Sequence, residues 1–431
     1  MTRSAYHYQH SSRSLMNSRL TRSTVNTTLK ILSMASLVTA TATARAMSLD
    51  QQTSTETTGR RFRSFLELVG SKPDSATKER VIEDYLRRLR EHGRPVIEDS
   101  SVVFLYYGNG TRVSIPSDLN GWNATVDTMK RIVGTRLFFL EKNVEAAARF
   151  EYKLAVDSTW ILDPINQQQA IGGYGPNSEI WMPKYVPPQE IVYRDSIAHG
   201  RLDSLSFKSA LLKRTHPVFV YLPPGYKSSH KKYPTLYVTD GGEYITLALM
   251  LNVLDNLIAD KRIEPIIAVF VDPRTDIRSA ATSTRMFDYS LSDTFVNALA
   301  TELHPKLLKR YRMDPSPDNT GIMGASLGGL ISAYAAYTRP DVFGLAACQS
   351  PAFWWKDDAI IKLISAGPKK PVKFYVDTGT IRDAQEGARR MKAVLEQKGY
   401  QTRYAEHPEG HNWVNWRARL DDILEYFWGT R

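Results

Sequence analysis

The 431-residue sequence contains one cysteine, Cys348. A single thiol excludes an intrachain disulfide and any cysteine-based metal site. Its setting, Leu345-Ala346-Ala347-Cys348, reads as a buried strand, which suits a structural rather than a reactive side chain. Long apolar runs are also missing, since no stretch reaches the ~20 residues that a membrane helix needs. A third absence is local. The first 49 residues carry no Asp or Glu, yet hold Arg3, Arg13, Arg19, Arg22, Lys30 and Arg45. Those six account for most of the formal charge of +11 and leave an ordinary +5. No basic stripe with interleaved aromatics occurs, which excludes nucleic acid as a partner. With 42% apolar and 23% charged residues, the composition is globular, and the length suffices for two domains.

The acid-free leader has a basic start, an apolar segment at 31–38 and Ala44-Arg45-Ala46, an A-x-A pattern. It predicts a signal peptide over residues 1–46, a mature N-terminus near Met47 and a secreted or periplasmic protein. The Arg/Ser/Thr-rich composition also suits an organelle transit peptide, the alternative destination. Residues 47–99 read as linker plus helix. The linker, to residue 72, is rich in Ser, Thr and Gln. The helix runs from Asp74 to His92, with Val81, Ile82, Tyr85, Leu86 and Leu89 on one face and Gly93 and Pro95 ending it.

Residues 100–187 change character. Val102–Tyr107, Arg136–Leu140 and Ala148–Leu154 read as strands separated by turns such as Asn109-Gly110 and Asn120-Gly121. They predict a small antiparallel β-sandwich. After Pro187-Pro188, residues 188–431 alternate apolar strands with helices at about 244–259, 291–310 and 384–398. That alternation predicts an α/β domain with a mostly parallel sheet covered by helices.

Within it, Gly324-Ala325-Ser326-Leu327-Gly328 reads G-x-S-x-G between an apolar strand and a helical run. This is the context of a nucleophile elbow, where small neighbours let a strained serine stand out at the sheet edge. A nucleophilic serine needs a base, and the base needs an orienting acid. Only His407 and His411 follow Ser326, and His411 lies in the loop after the last strand, where a base hangs. Asp377, Asp383 and Glu386 are the candidate acids. Asp383 is favoured because its loop follows the strand ending near Val376, although Asp also suits a helix N-cap there. The oxyanion hole would use the Leu327 amide and one from the loop Thr239-Asp240-Gly241-Gly242-Glu243, with Gly241 the candidate.

Several stretches together resemble the esterase D superfamily, and most closely the enterochelin esterases. They are Leu222-Pro223-Pro224-Gly225-Tyr226, Asp240-Gly241-Gly242, the elbow with Gly329, Gln349-Ser350-Pro351-Ala352-Phe353-Trp354-Trp355, and Gly410-His411-Asn412-Trp413 with Trp416-Arg417. The resemblance implies an α/β-hydrolase that cleaves carboxylic esters through a Ser-acid-His triad, without a metal or an organic cofactor. Three positions depart from the family's pattern. Arg382 stands where the family places its acid, Pro351 where Gly is common, and Arg278 lacks the Glu that often follows it. In the front domain, residues 117–123 with Trp160 and Phe150-Glu151-Tyr152-Lys153 resemble early-set immunoglobulin-like domains related to glycogen-binding modules.

The expected partner is therefore a small-molecule or glycan-linked ester, with Trp354, Trp355 and Arg278 as substrate-side candidates. Siderophore lactones, feruloyl or acetyl polysaccharide esters and acyl transfer to a sugar are the substrate options. The reading from a different class is an inactive scaffold that binds glycan through Trp122 and Trp160, residues which otherwise serve only packing. Oligomeric state is not legible in the sequence.

Overall fold

The computed structural model describes residues 59–98, 100–173 and 175–430. The leader over 1–46 lies outside them, as does the start of the expected linker. From Gly59 the linker expectation fails, because Gly59–Gly70 is a helix. Phe62, Phe65 and Val69 share its buried face and pack against Ile82 and Leu86 of the next helix, Ser75–His92. Phe65 stacks on Tyr85 at 4.0 Å. Polar composition hid three apolar residues at helical spacing. The second helix is capped as its sequence dictates: the Asp74 carboxylate accepts from the Thr77 amide, and Gly93 closes it at φ 64°.

The front region is built from short strands. They are β1 (Val96–Glu98), β2 (Ser101–Tyr107), β3 (Val113–Ser114), β4 (Lys130–Arg131), β5 (Leu137–Asn143), β6 (Arg149–Tyr152), β7 (Leu154–Val156), β8 (Thr159–Ile161), β9 (Gln169–Gly172) and β10 (Gly175–Trp181). They form three antiparallel sheets in the orders β1-β2-β5-β4, β6-β10-β9 and β3-β7-β8. Strand β2 explains its own continuous apolar run. Val102 and Phe104 enter a core with Phe150, Tyr152 and Ile180, whereas Val103 and Leu105 face the two helices.

The larger sheet has eight strands: β11 (Arg201–Ser209), β12 (Arg214–Leu222), β13 (Thr235–Val238), β14 (Ile267–Val271), β15 (Thr320–Ala325), β16 (Leu345–Gln349), β17 (Lys373–Gly379) and β18 (Thr402–His407). Their order is β11-β12-β14-β13-β15-β16-β17-β18. Strands β13 to β18 pair in parallel, while β11 and β12 form an antiparallel margin against β14. Alternate residues enter opposite cores. Ile322, Ala346 and Phe374 go to one side; Met323, Ala347 and Tyr375 go to the other. Burial on both faces is why these strands read as unbroken apolar runs.

Two details differ from the sequence reading. Strand β11 was not expected, because its outer positions are polar, as suits an edge. The helix expected over 244–259 is two, Gly241–Thr246 and Met250–Ala259, parted where Leu249 takes φ 54°.

Candidate active site

Parallel strands end on the same edge of a sheet, and ligand sites in such sheets form there. The loops after β13, β15, β16, β17 and β18 carry Asp240-Gly241, Ser326, Ser350, Asp383 and His411 respectively.

Ser326 sits between β15 and the helix Leu327–Thr338 with φ 59° and ψ −120°, a strained conformation for a residue with a side chain. Its neighbours hold it there. The Ser326 amide donates to the Gln349 carbonyl at 2.9 Å, and the Ala352 amide donates to the Ser326 carbonyl at 3.0 Å. The turn tolerates no side chain at Gly324, where a Cβ would lie 1.9 Å from Thr239 Oγ1.

His411 Nδ1 lies 2.6 Å from Asp383 Oδ1; the Asp383 side chain is fully buried, whereas 41% of the His411 side chain is exposed. The imidazole edge packs on Trp416, with ring centroids 5.0 Å apart. Asp383 Oδ2 accepts from the Ser350 hydroxyl and the Gly379 amide, each at 2.5 Å. Burial alone would raise the Asp383 carboxyl. Hydrogen bonding and charge from His411, with the Ser350 and Gly379 bonds, outweigh burial and hold it below its ordinary value. Ser350 also accepts from Trp416 Nε1 at 2.9 Å, so one residue after β16 supports both members of the pair. Among the described residues, no hydrogen bond joins His411 to Ser326.

The other acid and histidine candidates are placed differently. Asp377 stays within β17, and burial pushes it up to about 7. Glu386 lies in the first turn of the helix Gln385–Gln397. His407 ends β18; burial, then Arg419 and Arg403, push it down to about 4, and its Nε2 has no partner among the described residues.

Opposite the elbow, the Gly242 amide is committed to Asp272 Oδ2 at 2.9 Å, which leaves the Gly241 amide outside that bond. A Cβ on Gly241 would come within 2.6 Å of the Phe270 backbone, so only glycine fits. Two groups here escaped the sequence reading. The Asp240 carboxylate is gripped by Arg285 through Nε at 2.8 Å and Nη2 at 3.0 Å. Arg285 Nη2 also donates to the Ala325 carbonyl at 3.1 Å, tying this loop to the elbow. Ser350 was legible only as part of the Gln349–Trp355 run. Arg285 left no signal, because its partners lie 45 and 40 positions away.

The substrate-side candidates separate. Trp354 is 55% exposed and lines a cavity of about 360 Å³ with Arg382, Asp383, Glu386 and Arg390. Trp355 packs half-buried against the core. Arg278 is exposed and paired with Asp276. In the front region Trp122 is half-buried, donates to Asp118 Oδ1 at 3.0 Å and stacks on Trp160 at 6.3 Å.

The Esterase family profile matches residues 209–427. The chain is 26% identical over 243 residues to an endo-1,4-beta-xylanase/feruloyl esterase of Xylanibacter ruminicola, covering 54% of this chain and 32% of that one. It is 23% identical over 289 residues to the iron(III) enterobactin esterase of Dickeya dadantii, covering 61% of this chain and 63% of that one. Thus it spans less than two thirds of each. In fold it is similar to the Shigella flexneri enterobactin esterase crystallised in the presence of enterobactin. That match has a TM-score of 0.65 at 20% identity and covers 76% of this chain and 92% of the other. The family match takes in slightly more than half of the sequence, and the chain belongs to the Esterase family.

Proposed function

We propose that this chain hydrolyses carboxylic esters with Ser326 as nucleophile, His411 as general base and Asp383 as the acid that orients it. The observation that carries this reading is the Asp383–His411 pair on the same sheet edge as a strained serine. With Nδ1 turned to Asp383, Nε2 is the ring atom left to take a proton. Ser326 Oγ attacks the ester carbonyl as its proton passes to His411 Nε2. The tetrahedral oxyanion is held by the Leu327 and Gly241 amides. Collapse expels the alcohol, which leaves with the proton from His411, and an acyl-serine remains. Water repeats the sequence, releasing the acid and restoring Ser326. Bonds between base and nucleophile are often open in free enzymes and tighten when substrate is bound. Removing one oxyanion donor typically costs about 10²–10³-fold in rate.

The substrate reading is an enterochelin-like ester. Its support is the length of the likeness, which reaches into the front region (61% of this chain for the Dickeya relative against 54% for the feruloyl one). We read the front sheets as an early-set Ig-like partner domain and the leader as a secretion signal. The inactive glycan-binding alternative is weakened by Trp122, whose indole is already engaged.

The test is a panel of siderophore lactone, feruloyl, acetyl and p-nitrophenyl esters with the wild type and Ser326→Ala. Turnover of the lactone, lost in the variant, supports the reading. Turnover that survives the substitution overturns it.

A further inference from the structure

His411 is flanked by Gly410 and Asn412, and the front region grips both. A Cβ on Gly410 would lie 2.7 Å from Asp118 Cγ, so the loop backbone rests directly on that side chain. Asn412 donates its Nδ2 to Asp118 Oδ2 at 3.0 Å and accepts on Oδ1 from Arg149 Nη1 at 2.9 Å. The Arg149 amide donates to the Pro408 carbonyl at 3.0 Å, fixing the entry to the same loop.

These grips are themselves rigidly mounted. Asp118 is buried in the turn after Ser117, where its Oδ2 also accepts from the Glu151 amide at 2.9 Å and its Oδ1 from Trp122 Nε1. Arg149 is fully buried between Glu151 and Glu179. Such groups are costly to bury and persist only in a fixed arrangement. The same turn reaches the acid's loop as well. A Cβ on Gly121 would be 3.2 Å from Arg382 Nε, one residue before Asp383, and Ile381 packs on the front core.

We propose that Asp118 and Arg149 are positioning residues for His411, so that the front sheets complete the catalytic site. The proposal rests on the reading of His411 as the base. Asn412 caps the helix Trp413–Arg417 through the Asn415 amide, so its side chain is already fixed on the catalytic side. Its two remaining bonds set where the loop sits. Freed from them, the loop keeps the bonds from the Thr380 and Ile381 amides to the His407 and Glu409 carbonyls and from Asn415 Nδ2 to the Gly410 carbonyl, but the residue next to the base loses its grip and the imidazole drifts. A displacement of ~1 Å in a catalytic group costs on the order of 10²-fold in rate.

The experiment compares Asp118→Ala, Asp118→Asn and Asn412→Ser in the full chain. The asparagine keeps an oxygen for the Glu151 and Asn412 donors and gives up only the bond from Trp122, because its amide N–H and the indole N–H are both donors. The serine keeps the helix cap and drops both front-region bonds. Two readouts are used: kcat and KM for p-nitrophenyl acetate, and the far-downfield proton resonance of His411 Nδ1, identified by its loss in His411→Gln. Expected for Asp118→Ala and Asn412→Ser is a kcat about 10²-fold lower with KM within twofold, and a weakened or shifted resonance. Asp118→Asn recovers most of both. If Asp118→Ala does not fold, Asn412→Ser decides by the same criteria. Wild-type kcat with an unchanged resonance in Asn412→Ser overturns the proposal. The resonance needs no turnover. A wild type inactive on every ester therefore defeats the functional reading while leaving the positioning of His411 open to measurement.

Discussion

Strand β14 in the large sheet and strand β6 in the front region are both buried at every residue. The first is Ile-Ala-Val-Phe-Val and the second is Arg-Phe-Glu-Tyr. An apolar strand buried on both faces needs only neighbours of the right volume. A strand that buries Arg149 and Glu151 needs partners for each charge, and those partners fix its position against whatever supplies them. Here they include Asn412, 263 positions away beside His411. The large sheet thus supplies a platform for the candidate chemistry, and the front region supplies a clamp.

The sharpest way to break this contrast is to disable the platform's chemistry without touching the clamp. Asp383→Asn should lower kcat by about 10⁴-fold, because an amide cannot hold His411 in the required tautomer. Circular dichroism and melting should stay near wild type. A loss below tenfold, measured with p-nitrophenyl acetate, would move the acid's role elsewhere. Next in size is the clamp itself. Arg149→Met leaves Glu151 and Glu179 buried without their cation, and should destabilise the chain by about 3–5 kcal/mol in denaturant unfolding. A similar substitution at a surface pair such as Arg389–Glu406 should cost about 1 kcal/mol or less. Equal costs at the two places would erase the distinction between a built clamp and ordinary surface charge.

The smallest effect concerns pH. His407 is held neutral, with its pKa pushed down to about 4 from the ordinary 6.5. As pH falls below 6.5 the unfolded chain takes up this proton and the folded chain does not. The contribution to stability is therefore complete above about 6.5 and is lost progressively toward 4. His407→Gln should flatten that part of the stability profile in urea titrations at stepped pH. An unaltered slope would show that the ring is not held neutral.

What the sequence revealed follows the same contrast. The central strands, the elbow around Ser326 and the loop positions of Asp383 and His411 are local signals: apolar runs, small residues about a serine, and turns after strands. The helix Gly59–Gly70 and the edge strand Arg201–Ser209 were missed because polar residues dilute their apolar faces. Arg285, gripping Asp240 across 45 positions, and Asp118, reaching Asn412 across 294, could not be read from spacing at all. The motif around Trp122 suggested sugar stacking. In the structure its indole N–H is spent on Asp118, and the more consequential residue of that motif is Asp118 itself.

The central claim is that Ser326 is the activated hydroxyl. The direct measurement is to treat the full chain with a fluorophosphonate and map the adduct by mass spectrometry. One phosphonyl group on the peptide containing Ser326, forming far more slowly in His411→Gln, is the result predicted. An unlabelled protein, or a label that goes to another residue at the same rate in both proteins, would contradict it.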